Sequence, residues 1–438
     1  MALTGRAALL AVLGALVTGV LMPSPAGLLL VNSPLLLAIL TDLLLAAPVR
    51  RLRFTRSGDT SVRLGEQASV HLTLTNPSRR PLRAVLRDAW PPSALPAGAD
   101  ASAAASRHRV TVPAGERARL TTTLLPSRRG ERTPDRVTVR SHGPLGLAAR
   151  QGSHEVPWKV RVLPPFKSRR HLPAKMARLR EMDGRTSVLT RGEGTEFDSL
   201  REYVPGDDTR SIDWRATARH SSVAVRTWRP ERDRRILLVL DTGRTSAGRV
   251  GDAPRLDAAI DAALLLTALA GRAGDQVGVL AYDRRIRASV QSRAAGDLLP
   301  AVVSALAPLE PALVETDARG LAATALRSAP RRSLIVLLTS LDVAPIEEGL
   351  LPVLHQLTHR HTVLVAAVAD PRVQEMSTGR GTVEAVYEAA AAARTQAERA
   401  RSADRLRRHG VTVVDATPDE LAPALADAYL SLKAAGHL

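Results

Sequence analysis

Ile236-Leu237-Leu238-Val239-Leu240 runs without a break into Asp241-Thr242-Gly243-Arg244-Thr245, five aliphatic residues followed by a polar turn. A strand with one wet face would alternate, whereas a strand covered on both faces need not. Val277-Gly278-Val279-Leu280-Ala281, Leu334-Ile335-Val336-Leu337-Leu338, Val363-Leu364-Val365-Ala366-Ala367 and Val411-Thr412-Val413-Val414 repeat the pattern. Amphipathic stretches lie between them, among them 256–272, 298–306, 318–327 and 349–359. Strands alternating with helices predict an α/β fold over residues 234–438, a doubly wound and mostly parallel sheet with right-handed crossovers. Sites in such sheets lie at the carboxyl ends of the strands, where Asp241 stands.

Working outward, residues 48–165 change to alternation at period two. Val70, Leu72 and Leu74 alternate with His71, Thr73 and Thr75, and the pattern returns at Val110 and Val112 and at Val137 and Val139. Turn clusters such as Asn76-Pro77-Ser78, Pro91-Pro92-Ser93 and Pro113-Ala114-Gly115 separate these half-buried strands. A small antiparallel β-sandwich is expected. It carries no grouping of His, Asp and Glu with metal or acid–base spacing, so a spacer or binding module is the default reading.

No charged residue occurs from Ala7 to Thr41, and Pro23-Ser24-Pro25-Ala26-Gly27 interrupts that stretch. Residues 1–47 therefore read as a two-helix transmembrane hairpin. The second helix, from Leu28 to Ala47, reaches about 30 Å at ~1.5 Å per residue, with Pro34 and Asp42 tolerated near its ends. Arg50, Arg51, Arg53 and Arg56 crowd its exit while the turn is uncharged. The positive-inside rule then places both ends, and the soluble domains, in the cytoplasm of a multi-pass cell-membrane protein. A cleaved signal peptide, with Arg6 as its basic region and a cut near Ser24-Pro25-Ala26, is the rival reading.

The chain has 438 residues, 45% of them hydrophobic, and no cysteine, which excludes disulfides, thiolate metal sites and a cysteine nucleophile. Its net charge of +18 divides into 0 for residues 1–47, +13 for 48–165, +4 for 166–233 and +1 for 234–438. The excess lies next to the apolar N-terminus, where anionic lipid headgroups account for it as well as nucleic acid would. Aromatic residues are not interleaved with it, which makes a nucleic-acid partner the weaker reading.

Asp241, with Thr245 four residues on, resembles the start of the metal-ion-dependent adhesion site of von Willebrand factor A domains, Asp-x-Ser-x-Ser. Thr316, in Glu315-Thr316-Asp317, is the matching second-loop threonine. The resemblance implies a Mg²⁺ site of hydroxyl and carboxylate oxygens. Two positions depart from it: Gly243 replaces the middle hydroxyl, and Ser340 stands where an aspartate is expected, with Asp342 the nearest replacement. Weak Mg²⁺ binding is the expectation.

Upstream, Arg191-Gly192-Glu193-Gly194-Thr195-Glu196-Phe197 and Leu200-Arg201-Glu202-Tyr203-Val204-Pro205-Gly206-Asp207-Asp208-Thr209-Arg210-Ser211-Ile212-Asp213-Trp214 resemble the signature of the domain of unknown function 58 family. Arg128-Arg129-Gly130 and Gly143-Pro144-Leu145-Gly146-Leu147 extend the likeness upstream, so it covers nearly the whole chain. Arg201, Arg210, Arg215 and Arg219 interleave with Glu202, Asp207, Asp208 and Asp213, which suggests an ion-paired strap over residues 166–233 anchored by Tyr203 and Trp214. A partner-binding surface on the same residues is the functional alternative.

Among function classes, the resemblance implies a non-enzymatic interaction or scaffold protein, an adaptor of a MoxR-type AAA+ ATPase. The chain contains no Gly-x-Ser-x-Gly elbow, His-Glu-x-x-His, phosphate-binding loop or dinucleotide glycine motif, so no catalytic residue is assigned. A basic nucleic-acid binder and a hydrolase are the alternatives.

Overall fold

A computed structural model describes residues 2–189, 196–204, 209–219, 222–229, 234–291 and 295–437. Two compact units result, Met1–Pro165 and Phe166–Leu438.

The first unit begins with helices Gly5–Leu21 and Pro25–Leu45, which pack on each other. Thr4 and Ser24 cap them, each hydroxyl accepting a first-turn N–H. Among the described residues one stretch, Pro25–Arg51, is long and apolar enough to cross a membrane. The 17-residue first helix spans only about 26 Å, so the expectation of two crossings is met in length by the second helix alone.

Asp42 corrects the sequence reading. It is not a charge tolerated at a helix end but a fully buried acceptor, bonded by the backbone N–H groups of Leu145 at 2.7 Å, Leu147 at 2.7 Å and Ala148 at 2.8 Å. From the other helix, the Thr4 hydroxyl donates to the carbonyls of Gly146 at 2.7 Å and Leu147 at 3.1 Å. One loop, 143–148, is thus held by the start of the first helix and the end of the second. Gly143 permits the approach, because a Cβ there would stand 2.1 Å from Asp42 Oδ1.

The sandwich follows the alternation. Its five-stranded sheet runs Ala2–Leu3, Ala148–His154, Val137–His142, Leu82–Asp88, Arg107–Val112, and all its pairings are antiparallel. An antiparallel trio, Arg53–Gly58, Ala68–Thr75 and Arg117–Leu124, packs against it through Leu72, Leu74, Leu82, Leu86, Val137 and Val139. Between the sheets Arg56 meets Asp88 in a bidentate pair at 2.6 and 3.0 Å, both side chains 1% exposed. Trp90 Nε1 and the Thr122 hydroxyl donate to the same carboxylate.

In the second unit the sheet order is Ile286–Val290, Gln276–Tyr282, Arg235–Asp241, Leu334–Leu338, Thr362–Val368, Thr412–Ala416. Five strands are parallel and each coincides with a predicted apolar run. The antiparallel edge strand Ile286–Val290 is additional. Helices Arg255–Arg272 and Pro418–Ala434 cover one face, and Ala318–Ser328, Leu351–Thr358 and Val383–Arg408 the other. The stretch from Phe166 belongs to this unit. Ser168 N–H donates to Asp261, and Lys175 and Arg178 of helix Leu172–Leu189 reach Asp427 at 2.7 and 2.9 Å.

Candidate functional site

Asp241 ends the strand Arg235–Asp241, whose neighbours on either side are Gln276–Tyr282 and Leu334–Leu338, so three loops open around its carboxylate. Oδ1 accepts from Gly243 N–H at 2.8 Å and the Thr316 hydroxyl at 2.5 Å. Oδ2 accepts from the Thr339 hydroxyl at 2.7 Å and the Thr245 hydroxyl at 3.2 Å. An ionised carboxylate offers about four acceptor positions, and protein donors fill them. The backbone fixes the loops independently, with Arg244 N–H donating to Val314 O and Ala312 N–H to Thr242 O.

Of the residues expected here, Asp241, Thr245 and Thr316 come together. Asp342 does not: its carboxylate pairs with Arg255 at 3.1 Å and lies 3.6 Å from Arg399. Two guanidiniums hold that carboxylate, one beside each oxygen, which explains the correction. Thr339 is the member that sequence reasoning missed. It directly follows the strand Leu334–Leu338, one residue before Ser340, whose buried hydroxyl has no partner among the described residues. Gly243 is required where it stands, because a Cβ there would come 2.1 Å from the Thr316 hydroxyl.

The donor set fits a resident Mg²⁺ poorly. It has one carboxylate, and the three hydroxyls already spend their protons on it, so an entering cation must undo those bonds against a single negative charge. Among the described residues no group of three or more His, Cys, Asp or Glu side chains could hold a metal.

A cavity of about 350 Å³ opens beside the cluster. Its floor is apolar, from Val239, Leu321, Leu337, Ile346 and Leu350, and the π-helical turn Pro345–Leu350 contributes to its wall. Single π turns inside helices recur at functional sites. Asp241, Glu315 and Glu348 also line the cavity, and Arg244 pairs with Glu315 at 2.5 Å.

None of the described signature residues lines that cavity. Arg201 and Glu202 belong to strand Glu196–Glu202, paired with Ala224–Arg229, and Tyr203 N–H continues the ladder to Val223 O at 2.8 Å. Pro205, Gly206, Asp207 and Asp208 lie outside the described residues. Arg210 is in the turn Thr209–Ser211, and Asp213 caps the short helix Trp214–Thr217 by accepting from Arg215 and Ala216 N–H. Trp214 is 69% exposed, so it does not anchor a strap: as the first residue of that helix its side chain projects to solvent.

Comparison with known proteins places this arrangement. Residues 199–412 match the family model described as Protein of unknown function DUF58. The matched span runs from the signature strands through the parallel sheet and includes the Asp241 cluster. The uncharacterised protein Rv1480 of Mycobacterium tuberculosis is 30% identical over 190 residues, covering 43% of this chain and 59% of its own length. The uncharacterised protein YeaD of Bacillus subtilis is 26% identical over 202 residues, covering 45% and 50%. The chain thus spans little more than half the length of these relatives. Among solved structures, a conserved hypothetical protein BatB from Bacteroides thetaiotaomicron aligns at 16% identity and a TM-score of 0.31, over 46% of this chain and 99% of that one.

Proposed function

We propose that the whole chain belongs to the DUF58 family and that its C-terminal domain is von Willebrand factor A-like. In this reading it is a multi-pass membrane protein with its soluble units in the cytoplasm, and it docks a MoxR-type AAA+ ATPase without catalysing a reaction itself. One observation carries the reading: a half-apolar, acid-rimmed cavity at the carboxyl ends of the parallel strands, beside a carboxylate locked by three hydroxyls. A saturated carboxylate is a poor general base and a good rigid rim, which favours recognition over chemistry. The absence of a phosphate-binding loop from the sequence requires any energy-dependent step to come from a partner.

The test uses the full chain in nanodiscs and a purified MoxR-type ATPase, with and without ATP. Wild type is expected to bind, and Glu348→Arg, at an exposed rim position, to weaken binding by about tenfold. No binding by wild type in either nucleotide state overturns the reading.

A further inference from the structure

The grip on loop 143–148 fixes which part of the sandwich faces the apolar helices. Thr4 and Asp42, at the two helix ends, hold one loop whose tip, Leu145, is 52% exposed. Leu145 N–H is bonded to Asp42 Oδ1, so the backbone is pinned while the side chain stays free. Cations gather at the ends of the two helices. Arg80 donates to the carbonyl of Leu44, and Arg150 Nε to that of Leu43 at 2.9 Å, which brings two guanidiniums to the last turn of the second helix. Arg50 and Arg51 follow that helix, Arg79 adjoins Arg80, and Arg6 lies in the first turn of the first helix. Arg6, Arg50, Arg51, Arg79 and Arg80 are exposed, and among the described residues none forms an ion pair. The Asp42 carboxylate at this foot is buried and taken up by backbone amides.

An exposed apolar tip held by helix ends that also carry unneutralised arginines, at the foot of a helix pair whose leucines are exposed, matches a bilayer interface: acyl chains for Leu145 and headgroup phosphates for the guanidiniums. We propose that this foot is a binding site for anionic phospholipid headgroups and that it seats the sandwich on the membrane surface. Arginine suits the role because its planar fork takes two phosphate oxygens at once. The site rests on the membrane-anchored reading above, but not on any ATPase partner.

The full chain, reconstituted in nanodiscs of equal phosphatidylglycerol and phosphatidylcholine, is released into a mass spectrometer and its retained lipids counted. Wild type is expected to retain phosphatidylglycerol in about fivefold excess or more, since each arginine near a charged surface is worth about that factor. Arg50→Gln with Arg51→Gln and Arg79→Gln, none of which makes a side-chain hydrogen bond among the described residues, should bring the ratio close to one. Because the chain has no cysteine, Leu145→Cys takes an environment-sensitive dye at a single position. Its emission should be that of the interface in nanodiscs and that of water after detergent-free proteolytic release. Equal retention of the two lipids by wild type, an unchanged ratio in the triple variant, or water-like emission in nanodiscs overturns the site while leaving the anchor intact. A chain that stays soluble and never enters nanodiscs overturns both.

Discussion

At Gly243 the chain gives up one hydroxyl of an adhesion-site motif and gains a closer threonine. Gly243→Ser would force the Thr316 hydroxyl from its place 2.5 Å from Asp241, and overpacking of this kind costs about 1–3 kcal/mol. The expected result is a lowered melting temperature without tighter Mg²⁺ binding. For wild type, calorimetry should register Mg²⁺ only at about 10⁻³ M or weaker; submicromolar binding abolished by Asp241→Ala would contradict the locked-carboxylate account. A second prediction concerns His361, buried with neither ring nitrogen partnered among the described residues, whose pKa burial and then Arg360 hold below the ordinary histidine value of about 6.5. The unfolded chain therefore takes up the proton first, so stability present above pH 6.5 is lost as pH falls through the folded value. His361→Leu should flatten that part of the profile, and an unchanged slope between pH 7.5 and 5 would dismiss the residue as its source. His108, lowered by burial against the pull of Asp88, adds a second contribution of the same sign. At this scale Asp241 and Thr245 were legible because a motif fixes their spacing, and Thr316 because the resemblance calls for a threonine in a second loop. Thr339 and Asp342 were not, because which of Thr339, Ser340 and Asp342 turns inward depends on Arg255 and Arg399, 84 and 60 residues from Thr339.

Elements were the most legible scale. Continuous aliphatic runs became the five parallel strands, and the alternating runs became the sandwich, because burial on two faces or one writes its period directly into the chain. Ile286–Val290 escaped notice: an edge strand needs little apolar patterning, and this one contains Arg287 and Ser289. The strap expected of the signature was misjudged at Trp214, since aromatic character suggests burial where a helix start in fact directs the side chain outward. The buried Arg56–Asp88 pair, 32 positions apart, has no sequence signal. Asp88→Ala should cost about 3–5 kcal/mol, because it strands a guanidinium between two sheets and removes the acceptor for Trp90 and Thr122. Arg56→Met combined with Asp88→Asn, which removes the charge but keeps an acceptor, should lose less. Thermal melts of both proteins check the order, and a double variant less stable than Asp88→Ala would show that the charge pair itself, rather than the unpaired remnant, holds the sheets.

For the whole molecule the decisive feature is that one loop is gripped from two helices. Thr4 precedes the first helix and Asp42 lies in the last turn of the second, and both hold residues 143–148, so the two outer ends of the pair lie on the same side as the sandwich. The turn at Pro23 and Ser24 is then at the opposite end, with no charged residue between Ala7 and Thr41 to keep it out of a bilayer. In the proposed topology the exposed arginines Arg50, Arg51 and Arg53 select the cytoplasmic side, whereas Arg56 is neutralised by Asp88 between the sheets. In the proposed topology the first helix, at about 26 Å, is shorter than a ~30 Å hydrocarbon core, so a crossing by it requires local thinning of the bilayer to take up the difference. The predicted topology has the turn outside and the C-terminal domain inside. The lack of native cysteine allows a direct measurement: Ser24→Cys in intact cells should react with a membrane-impermeant maleimide, whereas Ser377→Cys, on an exposed helix of the second unit, should react only after lysis. Protection of Ser24→Cys before and after lysis would mean that the hairpin enters one leaflet without crossing. Labelling of Ser377→Cys in intact cells would reverse the orientation and place the proposed ATPase contact on the wrong side of the membrane.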